Sequence, residues 1–250
     1  MLKNAVSFNL GLLALILSIG GNVAGAEPVK FSTIASAKEM AEEISAKVAL
    51  VEKSLADEES YNKDKKRTLP REAGTIAVLA QAVAEHDEDS DLKKSAPDVR
   101  EGAIALQKAG SYDDAKKALE SIKSAVGGTS NGAKPEAEWN ALISMDSMMA
   151  EVQSRNAKLS RLKRKFPDDT TEAVRHAQVL ALLAVPMAAD THEVKDAAKT
   201  GDWVAQAKAM QDAMTETAAA LKAKDADAFK KAFAIAAQSC KKCHEEFRDH

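Results

Sequence analysis

Apolar residues recur at intervals of three and four along almost the whole chain, which is the spacing of one face of an α-helix. Proline and glycine fall between these periodic stretches and mark helix ends, except for Pro186, which is expected to kink or shorten its helix. An aromatic content of 4% and abundant Ala, Lys, Glu and Leu also favour helices over sheet. The pattern predicts an all-α protein with eight helices, at about 32–60, 70–85, 97–108, 113–127, 136–165, 171–189, 202–222 and 227–248.

A segment at 127–135, rich in Gly, Ser, Thr and Asn, is the best interdomain linker in the chain. The helical pattern begins again after it, and the two parts align as copies: residues 36–50 match 145–159, and 116–119 match 230–233. Shared composition alone is the alternative, but the matches keep their order across four elements. The sequence therefore predicts a duplication, with domains at 27–133 and 134–250.

The N-terminus has the plan of a secretory signal peptide. Lys3 is followed by an apolar run over 10–19 and by the small residues 24–26. That run is about half of the roughly 20 residues that a membrane span needs, so an uncleaved anchor is the less favoured alternative. We expect a Sec-type signal at 1–26, export, and no stable membrane insertion of the mature chain.

The formal net charge is −3, and it becomes about −4 when Lys3 leaves with the signal. This balance gives no reason to expect a nucleic-acid partner.

The only two cysteines of the chain lie in the segment Cys240-Lys241-Lys242-Cys243-His244. This is the spacing at which two thiols add across the vinyl groups of haem while the following imidazole reaches the iron. A redox dithiol or half of a zinc site would be the alternative, but there is no second cysteine pair and no strand-helix context. The motif predicts one covalent haem c, and its attachment is associated with the periplasm, which agrees with export.

A haem motif at the C-terminal end of the final helix resembles the class II cytochromes c, the cytochrome c′ group. The resemblance covers about the last 115 residues well and the first half only through the repeat. It implies two tandem four-helix bundles, the second with haem. The first copy carries Val126 and Thr129 where the second has Cys240 and Cys243, so we expect it to fold without haem.

The resemblance also implies what surrounds the iron. Members of the group that have a sixth ligand carry a methionine in the first helix of the bundle, and here the candidates are Met145, Met148 and Met149. Each also belongs to an apolar face and is a core candidate. The resemblance places Arg248 near the haem, with a solvated arginine that offsets the helix dipole as the alternative. Phe247 is expected to pack against the haem or the core. The remaining histidines are expected to be exposed or locally bonded, with only His176 kept as a distal candidate.

These expectations favour single-electron transfer to a redox partner protein, not enzyme activity. The alternative is a five-coordinate haem that binds nitric oxide or carbon monoxide. A peroxidase is disfavoured because no distal His and Arg pair is visible. The sequence does not fix the role of the haemless half, for which docking or homodimer formation are open possibilities.

Overall fold

A computed structural model describes residues 29–248 of the chain, and the predicted signal segment 1–26 lies outside them. The prediction of an all-α protein is confirmed: residues 29–248 contain α-helices and short 3₁₀ turns and no strand. In the same range, no helix is long and apolar enough to cross a bilayer. The α-helices are α1 (Ala37–Ser54), α2 (Glu58–Asp64), α3 (Thr68–Ala84), α4 (Ala96–Gln107), α5 (Tyr112–Val126), α6 (Met145–Leu162), α7 (Thr171–Ala189), α8 (Thr200–Lys222) and α9 (Ala226–Phe247).

The helix predicted at 136–165 begins nine residues later than expected, at Met145. Ser144 is its N-cap, and the Ser144 hydroxyl accepts a hydrogen bond from the backbone N–H of Ser147 at 3.3 Å. Before the cap, the chain makes a 3₁₀ turn at Trp139–Ala141. The candidate ligand Met145 is therefore the first residue of α6, not a residue deep inside it.

The helix predicted at 32–60 is two helices. α1 ends at Ser54, and Asp57 caps the start of α2 by accepting a 2.7 Å hydrogen bond from the backbone N–H of Ser60. Pro186 does not end α7, which continues to Ala189. The ring lies in the last turn of the helix, where it removes only one hydrogen bond of the ladder.

Helix contacts follow chain order within each part of the protein. In the N-terminal half (residues 29–133), α1 packs on α3, α3 on α4, and α4 and α1 on α5. In the C-terminal half (residues 134–248), α6 packs on α7, α7 on α8, and α8 on α9. The Phe166 ring lies 5.8 Å from that of Phe229, so the end of α6 lies beside the beginning of α9. Trp203 contacts Phe247 edge to face at 5.1 Å, so α8 begins beside the end of α9.

The starts of the two halves have the same local structure. A 3₁₀ turn opening on an aromatic residue, Phe31 or Trp139, precedes a serine N-cap, Ser36 or Ser144, and each cap opens an 18-residue helix. These features correspond at a spacing of 108 residues. The alignment of 36–50 with 145–159 is therefore displaced by one residue from the structural correspondence.

The two halves share one hydrophobic core. Buried residues of α1, α3, α4 and α5 belong to the same contact cluster as those of α6 to α9. The predicted linker is also bound to the N-terminal half: Arg100 donates hydrogen bonds to the backbone carbonyls of Lys134 at 2.7 Å and Pro135 at 3.0 Å. Arg100 is 1% exposed, so these bonds hold the linker on a buried group.

Candidate functional site

The last turns of α9 carry the cysteine motif. Cys240 and Cys243 are partly buried against the core, and neither forms a disulfide. They are three residues apart on a helix, so their side chains are neighbours on one face. His244 follows with an exposed side chain. The end of α9 therefore carries two adjacent, partly buried thiols and, next to them in the chain, an exposed imidazole.

Both thiols are protonated at neutral pH. Burial raises the pKa of Cys240, and burial together with the neighbouring Cys240 raises the pKa of Cys243 to about 11. Redox-active dithiols depend on the opposite shift, since the thiolate is the attacking species. The environment of this pair is therefore unlike that of a redox-active dithiol.

The donor set of the motif fits a haem better than a bare metal ion. Across residues 29–248, no three His, Cys, Asp or Glu side chains form a group that could hold a metal. A c-type haem needs less from the protein, because the porphyrin supplies its own nitrogen ligands and the chain adds two sulfurs and one imidazole. The two thiols and His244 match that requirement.

The two residues expected beside the haem have different surroundings. Phe247 is 9% exposed and packs against Trp203, while Arg248 is exposed at the end of α9. Glu246, between them and the motif, pairs with Lys199 at 2.9 Å. Phe247 and Lys199 thus join the end of α9 to the start of α8.

Helix α6 runs antiparallel to α9, and two contacts fix their register. Phe166 lies beside Phe229, and the ammonium of Lys163 lies 5.5 Å from the ring centre of Phe233. Eleven residues separate Phe233 from His244, and eleven separate Lys163 from Val152. At 1.5 Å per residue both steps are about 16 Å, so the part of α6 around Val152, which includes Met149, lies near the level of His244.

The three candidate methionines project in different directions from the axis of α6 and differ in burial. Met148 is fully buried, whereas Met145 and Met149 are partly buried. With 3.6 residues per turn, Met145 projects in about the direction of Lys163, and Met149 deviates from it by about 40°. Met148 deviates by about 60°, toward the fully buried Glu151 and Arg155. Met149 is about 4.5 Å along the axis from Val152.

The other histidines of the described chain each lie within hydrogen-bond distance of a polar group. The Nε2 atom of His86 lies 3.0 Å from the backbone oxygen of Ala35. His192 is largely exposed and pairs with Asp190. The Nδ1 atom of His176, the distal candidate, lies 3.1 Å from Arg155.

A buried ionic cluster, not predicted from the sequence, lies where the two halves meet. It consists of Glu43, Lys47, Glu72, Glu151 and Arg155. The signal for it was a charged pair four residues apart within the apolar face of α1 and a second such pair in α6. Burial opposes the charge of Glu151, but Arg155 and Lys47 hold the pKa of that carboxyl at about 2. Glu151 is therefore ionised at neutral pH.

Comparison with known proteins adds no assignment: no family model, no curated protein and no solved structure matches the chain.

Proposed function

We propose that the protein is an exported c-type cytochrome that carries one haem on α9 and transfers single electrons. Cys240 and Cys243 would hold the haem through two thioether bonds, each from addition of S–H across a vinyl group, and His244 would bind its iron. The observation that carries the proposal is the arrangement of the motif: two adjacent, protonated, half-buried thiols and a neighbouring exposed imidazole on one helix.

When bound, the haem supplies a one-electron iron couple. The chain holds it by two covalent links, which keep His244 beside it. Phe247 contributes apolar packing at the same end of α9, and the exposed Arg248 is a candidate partner for a haem propionate. Lys241 and Lys242 lie exposed between the cysteines and give the haem edge a positive rim for an acidic redox partner.

For the arrangement of the chain, we propose two tandem four-helix bundles, α1 with α3, α4 and α5, and α6 with α7, α8 and α9. The sequential helix contacts in each half and the paired 3₁₀ turns and serine caps support this arrangement. In the second bundle the haem lies between α6 and α9. The periplasmic location follows from the signal-like segment 1–26 and from the compartment in which such motifs receive haem.

Methionine coordination of the sixth site favours electron transfer, because a low-spin iron changes little on reduction and a thioether raises its potential. Met149 is our candidate, since it is within about one helical turn of the level of His244 and projects about 40° from the direction of Lys163, whose ammonium lies over the Phe233 ring of α9.

A second function is supported by Val152. This apolar residue lies one turn after Met149 on α6, at about the same level as His244. An iron faced by Val152 would be five-coordinate and open to nitric oxide or carbon monoxide.

The proposal is tested by producing the full chain in a host that exports it and attaches haem. We expect a mature protein that begins at Glu27 and contains one haem that resists acid-acetone extraction. The Cys240→Ser/Cys243→Ser variant should lose all covalent haem, while the control Lys242→Ala, between the two cysteines, should keep it. Colourless wild-type protein with two free thiols would refute the proposal.

The absorption spectrum of the reduced protein separates the two functions. A sharp low-spin spectrum that carbon monoxide leaves unchanged supports electron transfer. A broad high-spin spectrum that shifts with the gas supports gas binding.

A further inference from the structure

The start of α6 is built into the N-terminal half. The Trp139 ring stacks on Phe31 with a centroid distance of 5.7 Å, and the amide of Gln107 donates a 2.9 Å hydrogen bond to the backbone oxygen of Leu142. Ile143 fits against the bare backbone of Gly74: a Cβ there would lie 2.6 Å from the Ile143 side chain. The segment that leads into α6 is thus fixed by residues of α3, α4 and the first 3₁₀ turn.

The first three turns of α6 are held by the ionic cluster. Lys47 on α1 donates to Glu72 and, at 2.6 Å, to Glu151. Arg155 donates to Glu151 at 2.7 Å and to Glu43 on α1. The side chains of Lys47 and Glu151 are only 6% and 3% exposed. Removing either partner leaves buried charges with fewer counter-ions, since Lys47 then has only Glu72 and Glu151 has only arginines, so the cluster holds α6 at a defined position and rotation.

The two helices proposed to flank the haem therefore differ in their contacts, because only α6 is also held by the N-terminal half. α9 packs on α8, within the C-terminal half, whereas α6 packs on α7 and on α3 of the N-terminal half. Glu151 and Arg155 lie on either side of Val152, and Met149 is two residues before Glu151. A shift of Glu151 or Arg155 toward or away from α1 must move Met149 and Val152 relative to His244.

We infer that the N-terminal half is a positioning element for the haem centre, with Glu43 and Lys47 as positioning residues that set which α6 side chain faces the iron. The inference rests on the proposed function. It gives the haemless N-terminal half a role: this half fixes the position of α6, the helix proposed to lie across the haem from His244.

The test compares variants of the full-length, haem-loaded protein. Glu43→Gln and Lys47→Met remove one charge each from the cluster, and Lys47→Arg keeps the charge. Glu42→Gln is the matched control: it changes the neighbouring glutamate of the same helix and removes another ion pair between the halves, Glu42 to Arg175 at 3.0 Å, which is exposed. Neither Glu43 nor Lys47 is a haem ligand in the proposal.

We expect all four variants to keep covalent haem. Glu43→Gln and Lys47→Met should change the low-spin fraction and the carbon monoxide affinity by about 2- to 30-fold, the range found for mutations that alter coupling between sites. Lys47→Arg and Glu42→Gln should match the wild type. Hydrogen exchange over residues 145–155 should be faster only in the first two variants, a readout that does not depend on haem. If Lys47→Met does not fold, Glu43→Gln and the shorter carboxylate in Glu43→Asp provide the same comparison.

Two failures are distinguishable. Wild-type protein without haem overturns the proposed function and the inference with it. A coloured wild type whose Glu43 and Lys47 variants match Glu42→Gln in spectrum and gas affinity overturns the inference alone, and the cluster would then act only on stability.

Discussion

Rotation of α6 about its axis decides which side chain meets the iron in the proposed centre. Met148 and Met149 are adjacent in the chain but project about 100° apart. Met148 is fully buried, and Met149 lies nearer the side of α6 that carries Lys163 toward α9. The two methionines therefore form a matched pair for substitution.

Met149→Leu should convert low-spin iron to a high-spin form that binds carbon monoxide, because leucine keeps the volume but has no sulfur to coordinate. Met148→Leu should leave the spectrum unchanged and cost less than about 1.5 kcal/mol of stability. Absorption spectra with and without the gas measure both. A low-spin spectrum that survives in Met149→Leu but not in Met148→Leu or Met145→Leu would assign the ligand to one of the latter residues.

His176 gives the protein a pH-dependent stability. It is 8% exposed and accepts a hydrogen bond from Arg155 at Nδ1, so its folded form is neutral. Burial, together with Arg155 and Lys158, lowers the pKa of His176 to about 4, while Glu172 acts in the opposite direction. In the unfolded chain the pKa returns to about 6.5. Between these values the unfolded state binds a proton that the folded state does not, so stability falls as the pH decreases from about 6.5 to about 4.

His176→Gln should flatten this fall, since glutamine can accept from Arg155 but does not titrate. The slope removed is at most about 1.4 kcal/mol per pH unit, and solvent screening reduces it. Urea denaturation at a series of pH values measures the slope. His192→Asn is the control, because Asp190 raises the pKa of His192, and its effect therefore has the opposite sign. An unchanged slope in His176→Gln would show that another group causes the acid sensitivity.

At the scale of helices, contact between α3 and the segment before α6 depends on a glycine. Gly74 lies inside α3, where glycine is unfavourable for a helix, and its missing side chain makes room for Ile143. Gly201 is also helical, in the first turn of α8, but a Cβ there would have nothing within 4 Å.

Gly74→Ala should destabilise the protein by about 1–3 kcal/mol, because the added carbon overlaps a buried side chain and forces α3 and the Ile143 segment apart. Gly201→Ala should be neutral or stabilising by up to about 1 kcal/mol, since it gains helix propensity without a clash. Thermal or urea unfolding measures both. A stabilised Gly74→Ala protein would mean that the Ile143 side chain can move aside at little cost. The contact between Gly74 and Ile143 would then not fix the position of α6.

The helix boundaries show what the sequence could predict. α4, α5, α7 and α9 lie within one residue of the predicted bounds. Pro97, Gly110 and Gly127 mark the ends of α4 and α5, and Asp225 caps the start of α9. The start of α6 was wrong because residues 136–143 keep an apolar spacing, although Trp139, Leu142 and Ile143 use it to pack on the N-terminal half.

The segment 240–244 could be recognised in the sequence because its residues are consecutive. The cluster around Lys47 was not, since its members are about 100 residues apart and become partners only through contact of the two halves. Local patterns carry no information about such distant pairs. The same limit applies to the three methionines. Their spacing predicts that they lie on one helix, but the rotation of that helix about its axis depends on its packing against the other helices.

At the scale of the whole molecule, the two halves meet through reciprocal ion pairs. Glu43 of α1 pairs with Arg155 of α6, while Glu151 of α6 pairs with Lys47 of α1. The residues correspond at the same spacing of 108 that relates the serine caps. Reciprocal contacts between equivalent positions are the mark of a two-fold interface, here formed between the two halves of one chain.

Because the buried pairs and the apolar core both cross this interface, unfolding one half exposes charges and apolar surface on the other. We therefore expect the chain to unfold in urea in a single transition. Trp139, which stacks on Phe31 across the interface, reports separation of the halves once Trp203→Phe removes the other tryptophan. Its fluorescence and the far-ultraviolet circular dichroism, which follows all helices, should change at the same midpoint. An earlier fluorescence transition would show that the halves part while still helical. In that case the N-terminal half would hold α6 only below the first midpoint. The change in low-spin fraction and carbon monoxide affinity expected for Glu43→Gln should then increase as the urea concentration approaches that midpoint.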